Sequence, residues 1–167
     1  MTWSVEPLAD ADQLDAFACG NDHLNDWLRN HARHATRQGT RTYVVADEDN
    51  RVEGYFSVAP HVIERDEAPR SIGRGAPRQI PAILLAKFAL DRRVQGCGLG
   101  RELLVLALTV IVEAARAAGG KVVVVDAIDE AAASFYEHHD FIAVPTNPHR
   151  LVQKLSTVAA ALDLPWP

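Results

Sequence analysis

Six residues near the middle of the chain carry the clearest chemical signal: Gln95-Gly96-Cys97-Gly98-Leu99-Gly100. An apolar run, Ile83 to Leu90, precedes them and is broken only by Lys87. Arg101 to Ala118 follows, with Leu103, Leu106, Val110, Ala114 and Ala117 at helical spacing. Strand, glycine turn and helix in that order is the layout of an anion site. Glycines let backbone approach a ligand, and the first free N–H groups of the helix carry partial positive charge. The spacing excludes two anions at once. A Walker loop ends in Gly-Lys-Ser/Thr, and Gly100 is followed by Arg101-Glu102. A dinucleotide fingerprint needs G-x-G-x-x-G, which glycines at 96, 98 and 100 do not supply. What remains is Q-x-x-G-x-G, serving either an anion or tight strand–helix packing.

Other reactive side chains are sparse. Cys19 and Cys97 form neither a metal pattern nor a disulfide framework, which points to a reduced compartment, and Cys97 reads as a filler of the turn. His138 and His139 are neighbours on an expected helix, so at most one faces any site, and both read as surface residues. Tyr136, taken alone, reads as a helix tyrosine packed on a sheet with its hydroxyl outward. Between Trp27 and Ala46 there is no acidic residue, while Arg29, Arg33, Arg37 and Arg41 fall four apart. That spacing suits a basic stripe as well as a solvated helix face.

The elements that must position these groups follow from patterning. Trp3 to Glu6 is a short expected strand, and Gln13 to Cys19 a brief helix stopped at Gly20. Asn21 or Asp22 caps the next helix, with Leu24, Trp27, Leu28 and His31 inward. Arg41–Ala46 and Val52–Ala59 form a hairpin around Asp47-Glu48-Asp49-Asn50. Pro60 to Gln79 reads as a long loop, and Pro81 leads into the central strand. Lys121–Ala127 is a buried strand, Asp129–His139 a helix, and Phe141–Val144 and Leu151–Leu155 late strands. The sum is one α/β domain over residues 1–167, a central mixed, twisted sheet flanked by helices.

The whole chain is consistent with that size. It has 167 residues, enough for one domain with a sizeable core, and 23% charged residues, as in folded proteins of mixed surface. No stretch has the length and purity of a membrane helix, and MTWSVEPLAD has no secretion signal, so the expected location is the cytoplasm. The net charge of −5 argues mildly against nucleic acid as partner, but the acid-free stretch softens this, since local fields outweigh the total.

With a second motif the turn resembles that of the GNAT family of acetyl-CoA-dependent N-acyltransferases. After KVVVVDA and Ile128 comes DEAAASFYEHHDF, in which Ala132, Tyr136 and Phe141 match the family's pattern. Asp140 stands where glycine is usual, which puts the turn geometry in question, and Asp129 where asparagine is frequent. The resemblance implies the GNAT fold, acetyl-CoA as donor and no metal. It implies cofactor contacts from Phe88, Ala89, Leu90, Gln95, Gly96, Cys97, Gly98, Leu99, Gly100, Arg101 and Asp129, with a backbone N–H at the Leu90 end holding the acetyl oxygen. Tyr136 would be the general acid that donates to the departing thiolate, and no general base is evident.

The N-terminal half, FACGNDHLNDWLRNHA, GTRTYVV, EGYFSVAP and RQIPAILLAKFALD, is similar to GNAT toxins of bacterial type II toxin–antitoxin pairs. The resemblance implies acetylation of the amino group of an aminoacyl-tRNA, hence a block of translation. It further implies a neutralising ribbon-helix-helix antitoxin and a homodimer. Lys87 sits where such toxins frequently carry arginine. The tRNA contacts expected on that basis are Arg29, Arg33, Arg37, Arg74, Arg78, Lys87, Arg92 and Arg93. Two rivals remain: an N-acetyltransferase for a small amine or protein amino group, and a non-catalytic CoA-binding module.

Overall fold

Residues 3–167 are described by the computed structural model. Their strands are β1 (Glu6–Pro7), β2 (Arg41–Ala46), β3 (Val52–Glu64), β4 (Gln79–Leu90), β5 (Val122–Asp126), β6 (Ile142–Val144) and β7 (Asn147–Lys154). The helices are α1 (Asp22–Asn30), α2 (Ala32–Arg37), α3 (Arg70–Gly73), α4 (Leu99–Ala118), α5 (Glu130–His138) and α6 (Leu155–Ala161). The strands form one mixed sheet in the order β1-β2-β3-β4-β5-β7-β6, with β4 and β5 parallel. The chain divides into two compact units, residues through Ala59 with Ala86–Ala107, and Pro60–Leu85 with Leu108–Pro167.

In the first unit the apolar alternation of β2 and β3 folds as an antiparallel pair, registered from Arg41↔Val58 to Ala46↔Val52. Asp47 makes the turn: its Oδ1 accepts from the backbone N–H groups of Asp49 (2.8 Å) and Arg51 (3.0 Å). Asn50 adopts a φ of 63°, a left-handed position that asparagine tolerates. On the sheet rest α1 and α2. Asn21 caps α1 by accepting from the Leu24 N–H, and Leu24, Leu28 and Ala32 bury against Val44, Val52, Tyr55 and Ala89. Phe17 is only 1% exposed and meets Tyr55 edge-on at 5.4 Å. Burying such a ring contributes about 1.5–3 kcal/mol.

Three expectations fail in this unit. Gln13–Cys19 is not a helix. Gln13 bridges to Arg51, and the segment continues without regular structure, because its backbone partners lie far away in the sequence. The expected strand Trp3–Glu6 is replaced by β1, the two residues Glu6–Pro7 paired with Val44 and Tyr43. His31 does not face inward: it is exposed, and its φ of −124° separates α1 from α2.

The second unit holds β5 at its centre. It runs parallel to β4 from Ala82↔Val122 to Leu85↔Val125 and antiparallel to β7 from Val122↔Lys154 to Asp126↔Arg150. Val122, Val124, Val144 and Val152 bury with Ile63, Ile72, Ile80 and Ala82. The stretch Pro60–Gln79 is therefore not one long loop. Its first five residues extend β3, and a 3₁₀ turn (Arg65–Glu67) and α3 fold Ala68, Ile72 and Ala76 into the core. β4 begins before Pro81, and the Pro81 carbonyl accepts from the Lys121 N–H at 2.8 Å. Helix α6 was not expected, and β7 starts earlier than Leu151. Among the described residues no helix is long and apolar enough to cross a membrane.

Candidate active site

The glycine turn lies in the first unit. β4 ends at Leu90, Asp91 caps a 3₁₀ turn at Arg92–Val94, and the turn passes through Gln95 to α4. Gly96 and Gly98 have φ of 80° and 78°, and a side chain at either would meet open space. Nothing packs on these two, so tight strand–helix packing does not account for them, and their freedom serves the path of the backbone. Cys97 between them is exposed. Leu99, Gly100 and Arg101 already belong to the first turn of α4, a helix of 20 residues whose leading N–H groups bear the positive end of its dipole. The residues present fit the diphosphate of acetyl-CoA: exposed left-handed glycines followed directly by a long helix.

Gln95 is exposed, yet its side-chain NH2 group is fully employed within the protein. Its Nε2 donates to the carbonyls of Cys19 and Leu90, each at 2.8 Å. Phe88 and Leu90 are half-buried and Ala89 is buried, and Gly54 on β3 lets Leu90 approach, since a Cβ there would stand 3.2 Å from Leu90 Cδ2.

The basic residues divide by what already holds them. Arg29 donates to the Phe17 carbonyl, and Arg33 Nη2 to the carbonyls of Ala9 (3.2 Å) and Asp12 (3.0 Å). Arg93 Nε donates to Asp91 at 2.9 Å. The ammonium of Lys87 stands 5.5 Å from the ring centre of Trp27, which stacks in turn on Tyr55. Arg37 and Arg92 are exposed in the same unit. Because α1 and α2 are separated at His31, Arg29, Arg33 and Arg37 do not form a stripe along one continuous helix.

Tyr136, Asp129, Arg74 and Arg78 belong to the second unit. Tyr136 is 5% exposed, on the inner face of α5 with Ala133, and its ring lies edge-on to those of Phe141 (5.5 Å) and Phe135 (5.3 Å). It is thus a buried tyrosine rather than a surface one. Burial pushes its pKa up, so the phenol keeps its proton across the working range. Asp129 caps α5, its Oδ1 accepting from the Ala132 N–H at 2.8 Å. Asp140 adopts φ 72° in place of the usual glycine and closes the helix end, with Phe141 N–H donating to the Tyr136 carbonyl. His138 is exposed. His139, expected at the surface, is half-buried against the Phe135 ring at 4.8 Å. Arg74 and Arg78 are exposed.

Two groups escaped sequence reasoning. Asp91, 2% exposed, accepts the Ala18 N–H at 3.0 Å and both the N–H and Nε of Arg93 at 2.9 Å. The only local signal was an acid between a strand end and Arg-Arg, a capping pattern. The other is Arg150, which grips Asp126 with two nitrogens (2.8 and 2.9 Å) and reaches His61 Nε2 at 3.4 Å. Burial first, then Arg150, hold the His61 pKa below its ordinary value, against Asp126. No sequence spacing joins positions 61, 126 and 150.

Comparison with known proteins agrees with the geometry. Residues 39–143 match the model of the acetyltransferase (GNAT) domain. The chain is 35% identical over 155 residues to the tRNA-acetylating toxin of Mycobacterium tuberculosis, covering 93% of each protein. It superposes on AtaT complexed with acetyl-methionyl-tRNAfMet with a TM-score of 0.86 at 28% identity, covering 96% of this chain and 99% of that one. A Tyr-to-Phe mutant of AtaT bound to the C-terminus of the antitoxin AtaR and acetyl-CoA gives a TM-score of 0.80 at 29% identity, covering 96% and 98%. A left-handed glycine turn opening a long helix, a buried tyrosine and a family match over most of the sheet together place this chain in the GNAT acetyltransferase family.

Proposed function

We propose that this chain is the toxin of a toxin–antitoxin pair, moving the acetyl group of acetyl-CoA onto the amino group of an aminoacyl-tRNA and so blocking translation. The observation that carries the reading is likeness over 93% of both chains to a tRNA-acetylating toxin, so the similarity is not confined to the cofactor motif that all GNAT enzymes share. Acetyl-CoA supplies an activated thioester. The amides of Gly96–Gly100 hold its diphosphate, and the Leu90 end of β4 presents a backbone N–H to the acetyl oxygen. Tyr136 donates its proton toward the sulfur as the thiolate leaves, a role that suits a phenol kept protonated by burial. Asp129 acts indirectly, by capping the helix that carries Tyr136.

The tRNA backbone meets exposed cations, of which Arg37, Arg74, Arg78 and Arg92 are the leading ones. Arg29, Arg33, Lys87 and Arg93 contribute charge from side chains already anchored. The partner that silences the enzyme is a ribbon-helix-helix antitoxin, and the working form is a cytoplasmic homodimer with residues 1–167 acting as a single domain. The test is transfer of label from acetyl-CoA to total charged tRNA, beside Tyr136→Phe. Label on the aminoacyl group, reduced about 10²–10³-fold in the variant at unchanged CoA affinity, supports the reading. Label on free amines or protein N-termini, with none on tRNA, replaces it with the general N-acetyltransferase. CoA binding without thiol release to any acceptor replaces it with a binding module.

A further inference from the structure

The turn that faces the cofactor is held from behind by a stretch of chain that no motif marks. Asp91 is a nearly fully buried carboxylate, and both its oxygens are used. Oδ2 accepts from Ala18 N–H, and Oδ1 from the N–H and Nε of Arg93. The contact is returned by the backbone, since Arg92 N–H donates to the Ala18 carbonyl at 2.8 Å and Asp91 N–H to the Glu53 carbonyl at 2.8 Å. Gln95 adds the second arm, its amide spanning the carbonyls of Cys19 and Leu90. Segment Leu14–Gly20 is itself fixed. Phe17 is buried, its carbonyl accepts from Arg29 on α1, and the Cys19 N–H donates to Asn25 Oδ1 of α1 at 2.9 Å. All of these groups lie in one compact unit.

We infer that Asp91 and Gln95 are positioning residues for acetyl-CoA: they lock the glycine turn to segment Leu14–Gly20, and through it to α1, in the shape that receives the diphosphate. The inference rests on the reading that this turn holds the cofactor. Gly96 and Gly98 are left-handed and have nothing packed on them, so the turn's shape must come from its flanks. Asp91 sets the flank where the strand ends, and Gln95 sets the residue before the first glycine. Neither side chain needs to touch the ligand. Their effect is preorganisation: a turn free to wander must be ordered at the moment of binding, which weakens affinity without altering the chemistry that follows.

The experiment compares wild type, Asp91→Asn, Gln95→Met and Gly98→Ala for coenzyme A affinity by calorimetry, and for KM and kcat with acetyl-CoA. Thermal unfolding is followed alongside. Asp91→Asn sets an NH2 group against a backbone N–H donor, and Gln95→Met keeps the length of an exposed side chain while removing both donors. The expected result is a fall of about tenfold in CoA affinity for each, with KM raised by the same factor and kcat at saturation within about twofold. Lower thermal stability with unchanged affinity and KM in the folded protein would overturn the proposal and leave the clamp purely structural. Should Asp91→Asn not fold, Gln95→Met decides alone. Gly98→Ala separates this outcome from failure of the underlying reading. If it too leaves CoA affinity unchanged, the turn is not the cofactor cradle. If it weakens CoA while Asp91→Asn and Gln95→Met do not, only the positioning role falls.

Discussion

Asp140 shows what one side chain can bear for the sake of its neighbours. It closes α5 at a φ of 72°, a conformation that costs an L-residue about 1–2 kcal/mol, somewhat less for aspartate. The Phe141 N–H then reaches the Tyr136 carbonyl, and the Phe141 ring packs on the ring of Tyr136. Replacement by glycine relieves the backbone but loosens the unfolded chain by about 0.4–1 kcal/mol. The expected balance for Asp140→Gly is a gain near 0.5 kcal/mol, about 1–2 °C in melting temperature, and a lower melting temperature would refute it. Only its motif proposes Tyr136 as a site residue. Its burial is not legible in the sequence, because the same A-x-x-x-Y spacing is compatible with either face of a helix.

At the scale of elements, the chain is readable where local pattern and tertiary need agree. The β2–β3 hairpin, α4, β5 and α5 each carry their own period, and each starts within a few residues of expectation. Leu14–Gly20 was not readable, because what shapes it is a carboxylate and an amide more than 70 residues away. Pro60–Glu64 looked like loop on account of its proline, yet continues β3. Asp91 makes the buried clamp sensitive to acid. Burial raises its pKa, but the amides of Arg93 and Ala18 and the Arg93 guanidinium outweigh that, so it titrates below the usual carboxylate range. A carboxyl with a depressed pKa in the folded state contributes stability above its ordinary value near 4, lost as pH falls through the folded value. Unfolding followed by circular dichroism should therefore show wild type losing stability below about pH 4 more steeply than Asp91→Asn. Parallel curves would show that Asp91 is not held as an anion.

For the molecule as a whole, a net charge of −5 looks ill-suited to an RNA substrate. The resolution proposed is local: acid-free sequence from Trp27 to Ala46 and exposed arginines outside it. If these meet phosphates, kcat/KM on charged tRNA falls steeply with salt, each contact adding about 0.7–0.9 to the log–log slope, and Arg37→Ala flattens it by about one contact. A flat salt response in wild type would remove the basic residues from the account. What the sequence could not convey here is which cations are spare. Arg29, Arg33 and Arg93 have the same spacing and composition signal as Arg37 and Arg92, and only the fold reveals that carbonyls and a carboxylate already occupy them.

The exposed thiol of Cys97 lies between the two left-handed glycines. The molecule has one other cysteine, Cys19, which is half-buried and whose thiol pKa is pushed up, chiefly by burial. A mild alkylating agent near neutral pH should therefore label Cys97 first and fill the open space over Gly96 and Gly98 with the adduct. If the turn holds the cofactor, acetyl-CoA, whose sulfur is blocked as a thioester and does not consume the reagent, should slow that labelling in proportion to its occupancy, a footprint readable by intact-protein mass without altering a residue.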